Sequence, residues 1–401
     1  MVFLSKKHLS SRFLRATRYF IFVYGGLSPM IECDVAIVGA GPAGCSAARE
    51  CTRRGLKAVI LEKKRIPRHK ACSGILVPDS IRTLSEHFGD MAQDVFASPS
   101  HVHAMRMHFP SGNAGDIPIQ GLMIWRDRLD AWLCKSSQAV VLDETKMLSF
   151  KEGIDGVDLL CIKSNGELLE VHSRILIAAD GGASRTVKQI DPSLTAKLTW
   201  YVALQETYAC ECHLEPGLFH FFAFPGISLY PSAYVKDGLL VMEVVAQPKD
   251  KATSAMARFK EHLWRRIGIQ QACLIRRLGC RVTYAAPKGL FCFGSERILV
   301  SGEASGLLNF FGEGISSALA SGRIAGSVSF ESIRQGVSPG RLYRQEIETE
   351  KRKTVSTFNY KTLLFQEGNA FNFKKGLQVL NWRERVRLSK NLLKWFLAVK
   401  G

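Results

Sequence analysis

The chain is 401 residues long, 46% of them hydrophobic and 22% charged, with a formal net charge of +18. These values exclude a disordered polymer and allow one large domain or two closely joined ones. No run of about 18 apolar residues occurs, so no spanning helix is expected.

The surplus charge lies at the ends. Residues 1–31 hold five Lys or Arg and no acid, and residues 361–401 hold nine against two acids. A basic, aromatic-bearing end suits an anionic membrane surface or a phosphorylated ligand, and no nucleic-acid motif accompanies it. Eleven cysteines without a repeating spacing point to reduced thiols, a cytoplasmic chain and no metal site. Residues 1–29 form a basic extension, read either as a targeting segment or as a start-site extension.

The stretch Asp34 to Glu62 organises the rest of the chain. Val35 to Val38 reads as a buried strand, and Gly39, Gly41 and Gly44 come next in Gly-x-Gly-x-x-Gly spacing. Such glycines allow a tight turn, close approach of backbone to a pyrophosphate and close helix-on-strand packing. A helix from Ala43 to Arg54 ends at Gly55, and a second strand, Ala58 to Leu61, delivers Glu62 where a carboxylate can accept ribose hydroxyls. Together they predict a dinucleotide site.

After a basic, proline-containing loop, Asp79 to Phe88 reads as a helix and His101 to Phe109 as a strand, with His101 and His103 on one side as surface groups. Trp125 to Ser136 has helical spacing. Leu159 to Ile162 and Leu168 to Val171 flank Asn165-Gly166, a hairpin signal. Ile175 to Ala179 ends on Asp180-Gly181. From about 195 to 285 the pattern becomes aromatic-rich strands with one helix, Ala252 to Ile267. From Arg297 a buried strand, a glycine-rich loop and a helix, Gly314 to Ser329, return. Beyond Ser338 the chain is mostly amphipathic helix, with Leu392, Leu393, Trp395 and Phe396 among lysines.

The order of these loops resembles the p-hydroxybenzoate hydroxylase-like flavoprotein superfamily and, within it, the geranylgeranyl reductase family, over about residues 31–330. WRDRLDAWL is similar to Arg-x-x-Phe-Asp-x-x-Leu, with Arg126, Asp130 and Leu133 matching and Leu129 replacing Phe. ILIAADGGASRTV looks like Ala-Asp-Gly-x-x-Ser, matching Asp180, Gly181 and Ser184. RILVSGEASGLLNFFGEGI resembles Gly-Asp-Ala-Ala-Gly…Gly-Glu-Gly-Ile, with Gly302, Glu303 in place of Asp, then Gly312, Glu313, Gly314 and Ile315. The resemblance implies non-covalent FAD, held by Gly39, Gly41, Ala43, Gly44, Glu62, Arg126, Asp180, Gly181 and the Gly302-to-Ile315 segment. Arg126 would face the pyrophosphate, Glu303 the ribityl chain, and the helix opened by Gly314 the reduced ring.

Two further stretches bear on chemistry. HKACSGIL resembles the family's Lys-x-Cys-Gly-Gly, with Lys70, Cys72 and Gly74 matching and Ser73 replacing glycine. Cys72 is a candidate for shaping the site or handling a proton, and equally a small buried hydrophobe. YPSAYVK can be laid on the substrate motif Tyr-x-Trp-x-Phe-Pro-Lys, with Tyr230 and Lys236 matching and Ser232 where tryptophan stands. Tyr230 is the second catalytic candidate.

The expected fold is α/β. A discontinuous Rossmann-type FAD-binding domain (30–194 and 286–330) carries an inserted β-rich substrate domain (195–285) and a basic helical tail (331–401). The resemblance implies an FAD-dependent oxidoreductase reducing carbon–carbon double bonds of an isoprenoid or other apolar small molecule. NAD(P)H or a reduced electron carrier would supply electrons, and the chain could sit peripherally on a membrane. A flavin monooxygenase and a non-catalytic flavoprotein are the alternatives.

Overall fold

The computed structural model describes residues 30–108, 112, 114–222, 231–247, 251–269 and 271–364; the basic extension 1–29, Tyr230 and the tail beyond 364 lie outside the described residues. The first half runs β1 (Met30–Val38), α1 (Pro42–Arg53), β2 (Ala58–Leu61), β3 (Ile75–Leu76), α2 (Pro78–Phe88), β4 (Phe96–His108), β5 (Ala114–Ile124), α3 (Arg126–Ser137), β6 (Val140–Leu142), β7 (Thr145–Glu152), β8 (Val157–Lys163) and β9 (Leu168–Ala178). The second runs α4 (Arg185–Ile190), α5 (Pro192–Lys197), β10 (Trp200–Ala209), β11 (Leu218–Phe222), β12 (Ser232–Lys236), β13 (Leu239–Ala246), α6 (Ala252–Ile267), β14 (Cys273–Thr283), β15 (Ile298–Val300), α7 (Ile315–Gln335), α8 (Pro339–Glu346) and α9 (Glu348–Leu364).

Short apolar strands pair in parallel in the order β6-β2-β1-β9. β9 changes its outer neighbour along its length. Leu168–Ser173 pairs antiparallel with β8 and Leu176–Ala178 pairs parallel with β15. Gly166 turns the β8–β9 hairpin with φ +87°. Side chains alternate between faces, and both faces are covered, as a parallel sheet requires. Val35, Ile37, Ile60, Ile177 and Leu299 pack among the helices, while Ala36, Val59, Leu61 and Leu176 pack with β7–β8 residues such as Met147 and Leu159.

α1 and α7 approach to backbone contact. A side chain at Gly322 or Gly326 would collide with the Ala43 or Ala47 carbonyl, and Ser46 Oγ donates to Leu319 O at 2.7 Å. This contact fixes the segment 302–314 against the β1–α1 turn: a Cβ on Gly302 would lie 3.0 Å from the Ala43 Cβ.

The second sheet has the order β14-β10-β13-β12-β11-β4-β5-β3. It draws on strands from 195–285 and also on three strands from 75–124, which the expected boundary assigned to the first domain, joined through the parallel β4–β11 pair. One face (Leu204, Phe222, Ala233, Met242, Val244) packs on Met256, Phe259 and Leu263 of α6. By alternation, Gln205, Ser232, Tyr234, Lys236 and Glu243 take the opposite face, and Gln205 and Lys236 reach the 71–76 loop there.

Candidate functional site

At the β1–α1 turn Gly39 adopts φ +106°, and a Cβ there would collide with the Ala179 carbonyl. Gly41 differs: a Cβ would meet only Arg68 Nη2, at 3.8 Å. α1 begins at Pro42 without a side-chain cap, so its first N–H groups and its dipole face this open space.

Glu62 is buried and fully engaged. Oε2 accepts the Ala40 N–H at 3.0 Å and Oε1 the Lys64 N–H at 3.0 Å. Arg68 Nε lies 3.2 Å from Oε2, and Arg68 Nη1 lies 3.1 Å from Asp130 Oδ2. Asp130, fully buried, accepts Arg126 Nη2 at 3.1 Å, and the charge of Asp130, with a smaller contribution from Cys72, holds the Arg126 guanidinium protonated against burial. Glu62, Arg68, Asp130 and Arg126 thus form a row of alternating charge beside Gly41. Each buried ion has an opposite neighbour, which burial demands, and two planar guanidinium forks are held where a diphosphate fits. Arg68 does not stand out in the sequence, where it is one cation of a basic loop.

The other expected residues converge from across the first sheet. Asp180 Oδ2 accepts the Arg185 and Thr186 N–H groups at 2.9 and 3.2 Å, capping α4. Its Oδ1 is buried without a hydrogen-bond partner among the described residues. Gly181, at φ +79°, would put a Cβ into open space. Glu303 Oε2 lies 3.8 Å from Lys70 Nζ, while Oε1 is buried, partnerless among the described residues, and occupies the space a Gly182 side chain would need.

At the far end Gly312 has φ +75° and Gly314 precedes α7. Glu313 Oε1 accepts the Ser316 N–H at 2.9 Å, so the chain's own carboxylate engages a donor of this helix start. Burial pushes the Glu313 carboxyl above its ordinary range, against the opposing hydrogen bonds from Ser316 and Ile315.

The Cys72 loop is clamped between the sheets. Its carbonyl accepts Gln205 Nε2 at 2.8 Å, and the same amide donates to Glu243 Oε1 at 2.6 Å. Lys236, 1% exposed, donates to the Ser73 and Ile124 carbonyls at 2.7 Å each and lies 4.4 Å from the Trp125 ring centre. Burial pulls the Lys236 ammonium down to about 8. Gln205 and Glu243 give no signal in the sequence, Gln205 being one of three consecutive polar residues in β10 and Glu243 a lone polar residue in apolar β13.

Two buried acceptors awaiting donors, open space over Gly41 and Gly181, and paired guanidinium groups fit a hydroxyl-bearing diphosphate such as FAD. Residues 32–205 match the family described as FAD binding domain. Digeranylgeranylglycerophospholipid reductase 2 of Methanopyrus kandleri is 26% identical over 355 residues, covering 82% of this chain and 85% of that protein. Among solved structures, a geranylgeranyl bacteriochlorophyll reductase-like protein from Thermoplasma acidophilum aligns with TM-score 0.68 at 21% identity, covering 82% of this chain and 85% of that one. The myxobacterial halogenase CndH aligns with TM-score 0.69 at 14% identity, covering 90% and 89%. These two structural likenesses show a shared fold. FAD is the cofactor that the family match and the site agree on.

Proposed function

We propose that this FAD-dependent oxidoreductase, a member of the flavoprotein family that includes the geranylgeranyl reductases, saturates carbon–carbon double bonds in an isoprenoid lipid chain. The observation that carries the reading is the clamped Cys72 loop. Gln205 and Lys236 from the second sheet hold its carbonyls, and Arg126 of the nucleotide side interacts electrostatically with Cys72. Relatedness to a digeranylgeranylglycerophospholipid reductase along most of both chains supports the substrate class.

Reduced FAD supplies a hydride when bound. The chain's residues do the rest. Arg68 and Arg126 orient the diphosphate, Glu62 fixes the turn that receives the adenosine ribose, and Glu303 and Asp180 offer acceptors to hydroxyl groups. Tyr234 and Val241 are fully buried in an apolar cluster on the second sheet, with Phe219 packed against it, which gives this part of the fold a dry, apolar character. NAD(P)H and a reduced protein carrier are both consistent as the electron source.

The test is anaerobic incubation of reduced, FAD-loaded protein with a digeranylgeranyl glycerophospholipid, followed by lipid mass spectrometry. The expected product gains one H2 per double bond. Intact lipid, or product carrying oxygen from O2 in an aerobic run, overturns the reading.

A further inference from the structure

We infer that Glu243 is the acid that protonates the substrate carbon during alkene reduction, an assignment that rests on the reductase reading above. Three observations place it. Glu243 lies on the face of the second sheet that meets the Cys72 loop, since its neighbours in the register are Gln205 on β10 and Ser232 on β12. Its carboxyl is one hydrogen-bonded residue away from Cys72: Gln205 Nε2 spans the Cys72 carbonyl, 2.8 Å, and Glu243 Oε1, 2.6 Å. Glu243 is itself half-buried, so the residue is not sealed from solvent.

The surroundings suit an acid. Burial pushes the carboxyl above its ordinary range, against the opposing Gln205 hydrogen bond, the Lys236 ammonium and the nearby Tyr234 and Ser232 hydroxyls. The titratable groups acting on it are Lys236 and Tyr234 from β12, and its own charge in turn raises the Cys280 thiol of β14. Burial favours the protonated form before reaction, and Lys236 stabilises the carboxylate left afterwards. An ordinary structural role would leave a buried acid paired directly with a cation. Here the Lys236 hydrogen bonds go to carbonyls instead.

The step balances. The alkene π bond, the carboxyl O–H bond and the bond holding the flavin's transferable hydride break, and two C–H bonds form. One carbon takes the hydride from reduced flavin and the other takes the Glu243 proton. The alkene is reduced, the flavin is oxidised, and water reprotonates Glu243 once product leaves.

The test compares FAD-loaded wild-type protein with Glu243→Gln, which can still accept the Gln205 hydrogen bond but has no acidic proton. Prereduced enzyme is mixed anaerobically with di-O-geranylgeranylglyceryl phosphate in detergent micelles. Flavin reoxidation by the lipid should slow about 100-fold or more in Glu243→Gln, while FAD affinity and reduction by dithionite stay unchanged. Equal reoxidation rates in the two proteins overturn the assignment and leave the reductase reading standing. A second readout does not depend on turnover: infrared spectra of the holoenzyme at neutral pH should show a protonated-carboxyl band that Glu243→Gln lacks. If the wild type lacks that band, the acid assignment falls whatever the lipid does. If the wild type leaves the lipid unchanged, the reductase reading fails on its own, and the band then decides whether Glu243 stands as a buried proton store.

Discussion

The ammonium of Lys236 lies 2.8 Å from where a side chain on Gly74 would begin, and Gly74 itself adopts φ +69°. The lysine therefore replaces the side chain that the loop lacks, and it ties the Ser73 and Ile124 carbonyls, each at 2.7 Å, to the second sheet. Lys236→Met keeps the aliphatic stem but leaves both carbonyls short of a donor, which costs about 1–3 kcal/mol each when buried. The pH dependence has a definite sign. The folded value, about 8, lies below the ordinary 10.5, so between these pH values the unfolded chain binds more protons and this lysine makes stability rise with pH. The stability difference between wild type and Lys236→Met should grow by up to about 3 kcal/mol from pH 8 to 10.5. Parallel urea-unfolding curves across that range would reject the buried, depressed lysine.

Arg68 holds two buried carboxylates, Glu62 at 3.2 Å and Asp130 at 3.1 Å. Arg68→Gln leaves both with less positive charge, and breaking a buried pair costs roughly 3–5 kcal/mol. The same change removes one of two forks facing a diphosphate, so FAD affinity should fall at least about tenfold. Flavin fluorescence titration and thermal unfolding measure the two effects. Arg265→Gln, at a side chain 78% exposed, is the control and should change neither.

Glu303 and Gly182 form a size-matched pair. A Cβ on Gly182 would lie 2.8 Å from the Glu303 Cδ and closer still to Oε1. Gly182→Ala should therefore displace the carboxylate and weaken FAD binding. Glu303→Asp, one methylene shorter, should relieve the clash. A double-mutant cycle on FAD affinity should give a coupling of about 0.5–3 kcal/mol with Glu303→Asp rescuing Gly182→Ala. Additive effects would mean that the two residues do not share the space.

Much of this site was legible because its parts are local. Gly39, Gly41, Gly44 and Glu62 fall within one strand–helix–strand unit, and the backbone needs of such turns are written as glycine. Asp180 precedes a helix that it caps, and Asn165-Gly166 forms its hairpin as expected. The second sheet was less legible because its pairings are distant. β4 meets β11 across more than a hundred residues, with Leu218 opposite Ala104, and no local pattern encodes that. β5 carries Pro118 and Gly121, which weaken a strand signal. β14 is an edge strand with exposed Leu274 and Ile275 beside Arg276 and Arg277, so its alternation does not separate apolar from polar. Arg68 and Glu243 escaped for a related reason: each draws its meaning from partners brought together only by folding.

His108 supplies a second pH test, at acid rather than alkaline pH. Its Nδ1 faces the Arg266 guanidinium at 3.4 Å, which can only donate, so the neutral ring carries its proton on Nε2 and donates to His220 Nδ1 at 3.0 Å. A second proton would have to sit on Nδ1 against that cation, in a ring stacked 4.5 Å from Phe222. Burial, then His220 and Arg266, bring the His108 value down to about 4 from 6.5. Because the folded value is the lower one, the unfolded chain binds more protons between pH 4 and 6.5, and stability is lost as pH falls through that window. Wild type should lose roughly 2–3 kcal/mol more than His108→Gln between pH 7 and 4. Urea denaturation at half-unit pH steps measures this, and identical pH profiles for the two proteins would show that the ring is free to charge.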